Sequence, residues 1–229
     1  MGLYNFEMFL NDFSYRTQKN LDTIYKLKNN EDVYEVTQLI NSLFGSIILP
    51  YERYQEQYFK NLNNERKILE DDLELKQCSR KIGKVLEKCH SEKRFYSTYK
   101  YCKFDKNSFS TERFTFKDTL NFIKHIRNAL SHGGNGCMLF DFKEDVPGRE
   151  SKEYSMLNKI ILVDKRGDNE FFYLEVNIED ELKELRNIIV DIFIRLESKH
   201  NDKLKIKDHS EMVKEAKTEL KKRLNRKNK

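Results

Sequence analysis

Apolar residues recur at helical spacing through the first 131 residues of this chain and alternate only in a short stretch after residue 136. Residues 5–28 read as a first helix, with Phe6, Phe9, Leu10, Phe13, Leu21 and Ile24 near one face. Over residues 32–49 the pattern is cleaner: Val33, Val36, Ile40, Leu43, Phe44, Ile47 and Ile48 follow three- and four-residue steps, and Pro50 is expected to end the helix. Residues 51–90 are highly charged and predict one or two exposed helices, interrupted at Asp71-Asp72 and at Lys81-Ile82-Gly83-Lys84. Residues 105–112, rich in Asp, Asn, Ser and Thr, read as a loop. A central helix follows from about Phe116 to Ser131, with Thr115 as N-cap, Asp118 in the first turn and Gly133 closing it. The period then becomes two. Met138–Phe142, Ile160–Asp164 and Glu170–Val176 are strand candidates, the last two joined by the turn 165–169, with Pro147-Gly148 in a loop between the first two. Residues 178–196 return to helix, capped by Asn177 and apolar at Ile178, Leu182, Leu185, Ile189, Ile192, Phe193 and Leu196, and a final basic helix is expected over about 208–225. The chain thus reads as mainly α: a helical domain over 1–199 with a small three-strand insertion at about 137–176, and a basic helical tail over 200–229.

Composition agrees with a packed helical domain. Of 229 residues 38% are hydrophobic and 35% charged, and 16 Phe with 12 Tyr supply the apolar area for a core. Two prolines and eight glycines fit long helices with short connections. Cys78, Cys89, Cys102 and Cys137 are scattered, and residues 1–10 lack the basic start and apolar run of a secretory signal. No stretch approaches the roughly 20 apolar residues of a membrane helix. The expectation is a cytoplasmic protein with reduced thiols and no membrane contact. Charge is uneven: residues 200–229 hold 11 Lys/Arg against 5 Asp/Glu (+6), and the rest 32 against 33 (−1). Such a tail is a solvated helix or a non-specific arm for nucleic acid.

The central helix carries the candidate chemistry. At about 100° per residue, Phe116, Leu120, Phe122, Ile123, Ile126, Ala129 and Leu130 fill one half of it. Arg127 projects inside that arc, between Ile123 and Leu120, so its guanidinium must be paired or face a cavity. The other face carries Asn121, His125, Asn128 and His132 at steps of four, three and four. Asn128 stands four residues before His132 and can fix its tautomer, and the carbonyl end of the helix favours the imidazolium of His132. His125 reads as a surface or interface residue. Arg127 and His132, five apart, do not share a face. Two copies of the helix end packed across a two-fold axis would gather two arginines and two histidines around one cleft.

At Arg127-Asn128-Ala129-Leu130-Ser131-His132, followed by Gly133-Gly134, the chain resembles the HEPN superfamily, whose hallmark is Arg, a polar residue, a spacer and His. The segment Leu39-Ile40-Asn41-Ser42-Leu43-Phe44-Gly45-Ser46-Ile47-Ile48-Leu49-Pro50 is similar to the early helix of small stand-alone bacterial HEPN nucleases. The resemblance spans about residues 5–197 and implies a dimerising helical bundle with metal-independent endoribonuclease activity and no cofactor. It implies His132 as general acid or base, Arg127 on the phosphorane charge, products ending in a 2′,3′-cyclic phosphate, and service as a toxin or anti-phage effector, with an antitoxin or defence-system protein as the class of partner. RNA supplies its own nucleophile, the 2′-hydroxyl. A positioned acid or base is worth roughly a hundred- to ten-thousand-fold, and an arginine on the developing charge adds a preorganised electrostatic contribution.

Other constellations are less pointed. Residues 93–104 interleave basic and aromatic side chains without an acid, which makes Lys93, Arg94, Tyr96, Tyr99, Lys100 and Tyr101 candidates for binding single-stranded RNA, or else a peripheral packing element. Cys78, Cys89, His90 and Cys102 match no paired zinc-ligand spacing. Glu52, just after Pro50, is a candidate to assist a site. The rival to a nuclease is a non-catalytic RNA- or protein-binding subunit in which the helix end is only a dimer seam. A transcriptional regulator ranks last, without a helix-turn-helix signature.

Overall fold

The computed structural model describes residues 9–26, 35–52, 54, 65–98, 111, 114–131, 137–143, 156–167, 169–204 and 209–227. In chain order the helices are α1 (Phe9–Lys26), α2 (Glu35–Leu43), α3 (Glu65–Asp71), α4 (Leu73–Ser91), α5 (Phe116–Ser131), α6 (Lys183–Leu204) and α7 (His209–Lys227). The strands are β1 (Phe95–Ser97), β2 (Cys137–Lys143), β3 (Met156–Arg166) and β4 (Glu170–Asn177). The protein is mainly α with a small antiparallel sheet, and the central and closing helices and the three expected strands form where the sequence places them.

Pro50 does not end its helix. A π turn, Phe44–Ile48, follows α2, and helical backbone continues through residue 52. A proline ring crowds the carbonyl four residues back. Here that carbonyl belongs to Ser46, inside the wider π turn, where the regular ladder is already interrupted. The π turn also selects the buried face. Leu39, Leu43, Ile47 and Tyr51 are buried at strict four-residue steps, whereas Phe44 is exposed. On an unbroken α-helix such steps would drift by about 40° each.

Residues 65–91 break once, at Asp72, which caps α4 by accepting from the N–H groups of Glu74 and Leu75 at 3.0 and 3.1 Å. The interruption expected at 81–84 is absent. Gly83 is buried in a continuous helix, since a Cβ there would come within 3.1 Å of the Thr111 methyl and 3.3 Å of Phe114 Cβ. α4 is not merely an exposed helix: it buries Leu75, Ser79, Ile82, Val85, Leu86 and Cys89 against α5 and α6. Asp72 also ties α4 to α6, standing 3.0 Å from Arg195 Nε and 2.8 Å from His200 Nε2.

The sheet has the order β1-β4-β3-β2, all antiparallel. Its inner face buries Phe95, Ser97, Ile160, Leu162, Asp164, Phe172, Leu174 and Val176 and packs on α5. β1, three residues long, is too short to show alternation, so the expected three strands become four. β4 leads into α6 through a second π turn, Ile178–Leu182. Asn177 occupies the cap position without a side-chain cap, and its backbone N–H instead donates to Glu181 Oε2 at 3.0 Å. α7 is exposed at every residue whose side chain is described. Among the described residues no helix is long and apolar enough to cross a membrane.

Candidate functional site

The site is built on the last turns of α5. A reciprocal capping box starts that helix: Asp118 N–H donates to Thr115 Oγ1 at 3.2 Å, and Thr115 N–H to Asp118 Oδ2 at 2.9 Å. The apolar arc, Phe116 through Leu130, is buried as its spacing requires. Arg127 sits within it, its side chain 19% exposed, and forms an ion pair with the Glu52 carboxylate, which the helical turn beyond Pro50 delivers. Its Nη1 donates to Asn128 Oδ1 at 3.1 Å. Tyr51 lies buried beside this pair. Burial pushes its phenol well above the ordinary value, Arg127 pulls it back, and Glu52 adds to the rise.

The polar stripe on the other side of α5 is not a solvated face. Asn121 and His125 are buried beneath the sheet, which corrects the reading of His125 as a surface residue. The reason is Asp164, the third inward position of β3 after Ile160 and Leu162. One of its oxygens, Oδ2, stands 2.8 Å from His125 Nδ1 and accepts from Asn128 Nδ2 at 3.0 Å. The His125 ring stacks on Phe172, with centroids 5.1 Å apart at 21°. The carboxylate, two side chains of the helix and a ring of β4 form one buried polar joint between α5 and the sheet. A continuous chain of polar contacts thus runs Glu52–Arg127–Asn128–Asp164–His125. His132, one residue beyond α5, lies outside the described residues.

An arginine set among apolar side chains at a helix end, steered by a carboxylate on one side and an amide on the other, is equipped to bind a phosphate. The family model described as HEPN pEK499 p136 matches residues 1–203. The chain belongs to this HEPN family. No curated protein and no solved structure matches the chain significantly. HEPN membership supports a HEPN-type nuclease or a related function at most, and the match covers all the described elements except α7 and the end of α6.

Of the basic–aromatic segment, the described residues Arg94 and Tyr96 do not contact Arg127. Arg94 is a correction: it is buried in a two-pronged pair with Glu181, Nη1 to Oε2 at 2.7 Å and Nη2 to Oε1 at 2.8 Å, and its Nε donates to Glu92 at 2.7 Å. Burial alone would raise the Glu181 pKa, but Arg94, the Asn177 N–H and Lys88 outweigh it and hold it at about 2. Arg94 is therefore a staple between β1 and the turn before α6, with no fork left for RNA. Lys93 is exposed, in the left-handed region at φ 60°. Tyr96 pairs with Tyr173 across β1 and β4, on the opposite sheet face from Phe172 and α5. Tyr99, Lys100, Tyr101 and Cys102 lie outside the described residues. Asp164 does not stand out in the sequence pattern. Its signal was an acid in register with two inward-facing apolar residues of a strand, where a carboxylate must find partners. Among the described residues no group of three or more His, Cys, Asp or Glu is arranged to hold a metal ion.

Proposed function

We propose that this chain is a homodimeric, metal-independent endoribonuclease of HEPN type, acting as a toxin or anti-phage effector. The observation that carries the reading is the placement of Arg127: half-buried at the end of α5, inside the Arg-Asn-x-x-x-His motif of a HEPN family member, with its guanidinium held by Glu52 and Asn128. Glu52 lies at the rim, 44% exposed, so an RNA phosphate can take its place on the guanidinium. His132 then moves the proton between the 2′-hydroxyl and the leaving oxygen, Arg127 stabilises the charge on the phosphorane, and the product ends in a 2′,3′-cyclic phosphate. In the dimer two helix ends meet across the two-fold axis, so that each cut draws on both copies. Flanking nucleotides are bound by Lys93, Tyr96, Tyr99, Lys100 and Tyr101.

The test is cleavage of bacterial RNA by the purified protein. Arg127→Ala and His132→Ala each abolish cutting, with unchanged thermal unfolding and unchanged oligomeric mass by light scattering. Wild-type cutting by either variant rejects the assignment. A wild-type protein that binds RNA and leaves it whole supports the non-catalytic subunit instead.

A further inference from the structure

We propose that Asp164 is a positioning residue for Arg127 and acts on it through Asn128. The inference rests on the nuclease reading and names a residue outside the motif. An amide has one donor end and one acceptor end, and a protein must choose which way round to hold it. An ionised carboxylate only accepts. Asp164 Oδ2 therefore takes the Nδ2 end of Asn128, at 3.0 Å, and turns the Oδ1 end toward Arg127 Nη1, 3.1 Å away. Asp164 is itself fixed. It is buried on β3, and the same oxygen meets His125 Nδ1 at 2.8 Å, with the His125 ring stacked on Phe172 of β4. The sheet thereby reaches through the helix and sets one side of the guanidinium, while Glu52 meets the other.

The consequence is a division of labour. Asp164 touches no substrate. It decides how Arg127 presents its fork, and an arginine misplaced by about 1 Å costs on the order of a hundredfold in rate. Removing the carboxylate should lower turnover and leave the RNA concentration at half-saturation nearly unchanged, because charge attraction to the backbone survives.

The experiment uses the full chain and two RNA probes, bulk bacterial transfer RNA and a fluorescein-labelled mixed-sequence single strand. Turnover, half-saturation and Tm are measured for wild type, Arg127→Ala, Asp164→Asn, Asn128→Asp and the double exchange Asn128→Asp with Asp164→Asn. In Asp164→Asn the acceptor-only carboxylate shared by His125 and Asn128 becomes a neutral amide that can present either its oxygen or its nitrogen, so the orientation of Asn128 is no longer enforced, and kcat falls about ten- to a hundredfold at similar half-saturation. The double exchange restores the pairing with its polarity reversed: the new carboxylate at position 128 accepts from both Arg127 and the new amide at position 164, and kcat recovers at least tenfold over Asp164→Asn. Wild-type kcat in Asp164→Asn beside a dead Arg127→Ala overturns the positioning role and leaves the nuclease standing. A loss in Asp164→Asn that follows a fall in Tm and is not rescued by the exchange also overturns it, in favour of packing alone. If wild type cuts neither probe, or Arg127→Ala cuts like wild type, the nuclease reading fails and this inference with it.

Discussion

Arg94, Arg127, Asp72 and Glu181 each have a partner of opposite charge, and the partners differ in how deeply they are buried. Arg94 is gripped by Glu181, a carboxylate only 4% exposed, whereas the Glu52 that meets Arg127 is 44% exposed. The Arg94 pair is the harder of the two to open, since removing a buried partner strands a charge at a cost of several kcal/mol. Asp72 belongs with Arg94. Burial alone would raise its pKa, but hydrogen bonds from His200, the Leu75 N–H and Arg195 outweigh it and hold the carboxyl at about 2. Since its ordinary value is 3.8, the stabilisation is complete above about pH 4 and is lost as pH falls toward 2. Asp72 thereby contributes roughly 2 kcal/mol at neutral pH, and Glu181 adds a loss over a similar acid range. Thermal unfolding followed from pH 7 to 2 should show Tm holding to about pH 4.5 and then falling, and Asp72→Asn should lower the plateau and flatten the fall. Arg127 was legible in the sequence, because a helical wheel places it among leucines and isoleucines. Asp164 was passed over, because an acid at the end of a strand pattern looks like the start of a turn.

Among the elements, the helix α5 and the three longer strands follow from periodicity and caps. Thr115 and Asp118 announce the start of α5, and Asp72 the start of α4. The π turns were not legible, since their consequences lie in which face is buried and not in which residue types occur. A proline that should stop a helix is instead carried by one of them, and Glu52 reaches Arg127 only because the helix goes on. Gly83 misled for the opposite reason: a glycine that suggests a break marks a close approach of α4 to Thr111 and Phe114. Gly83→Val should cost about 1–3 kcal/mol, because its branched side chain must displace both neighbours. Urea titration would show this as a lower midpoint at unchanged slope, and an unchanged midpoint would mean the approach yields freely.

At the scale of the whole molecule, the sheet acts as the second wall of the central helix α5. Helices α3 and α4 and the π turn Phe44–Ile48 meet its apolar side, and the inner face of the sheet covers its polar stripe, so α5 is buried on both sides up to its last turn. Near the helix end Arg127 stays 19% exposed beside Glu52. The family match over 1–203 stops short of α7, consistent with a basic helix that the core does not use. The sequence showed the insertion but not what it covers, since the partner of the polar stripe is a single carboxylate 36 residues away from Asn128. The most direct test of the account is the chemistry of the RNA ends left by the purified protein in the presence of EDTA, read by mass spectrometry of the fragments. A HEPN-type nuclease should cut undiminished by the chelator, leaving 2′,3′-cyclic phosphate on one fragment and a 5′-hydroxyl on the other. Fragments bearing 5′-phosphate and 3′-hydroxyl, or cutting that the chelator abolishes, would contradict it.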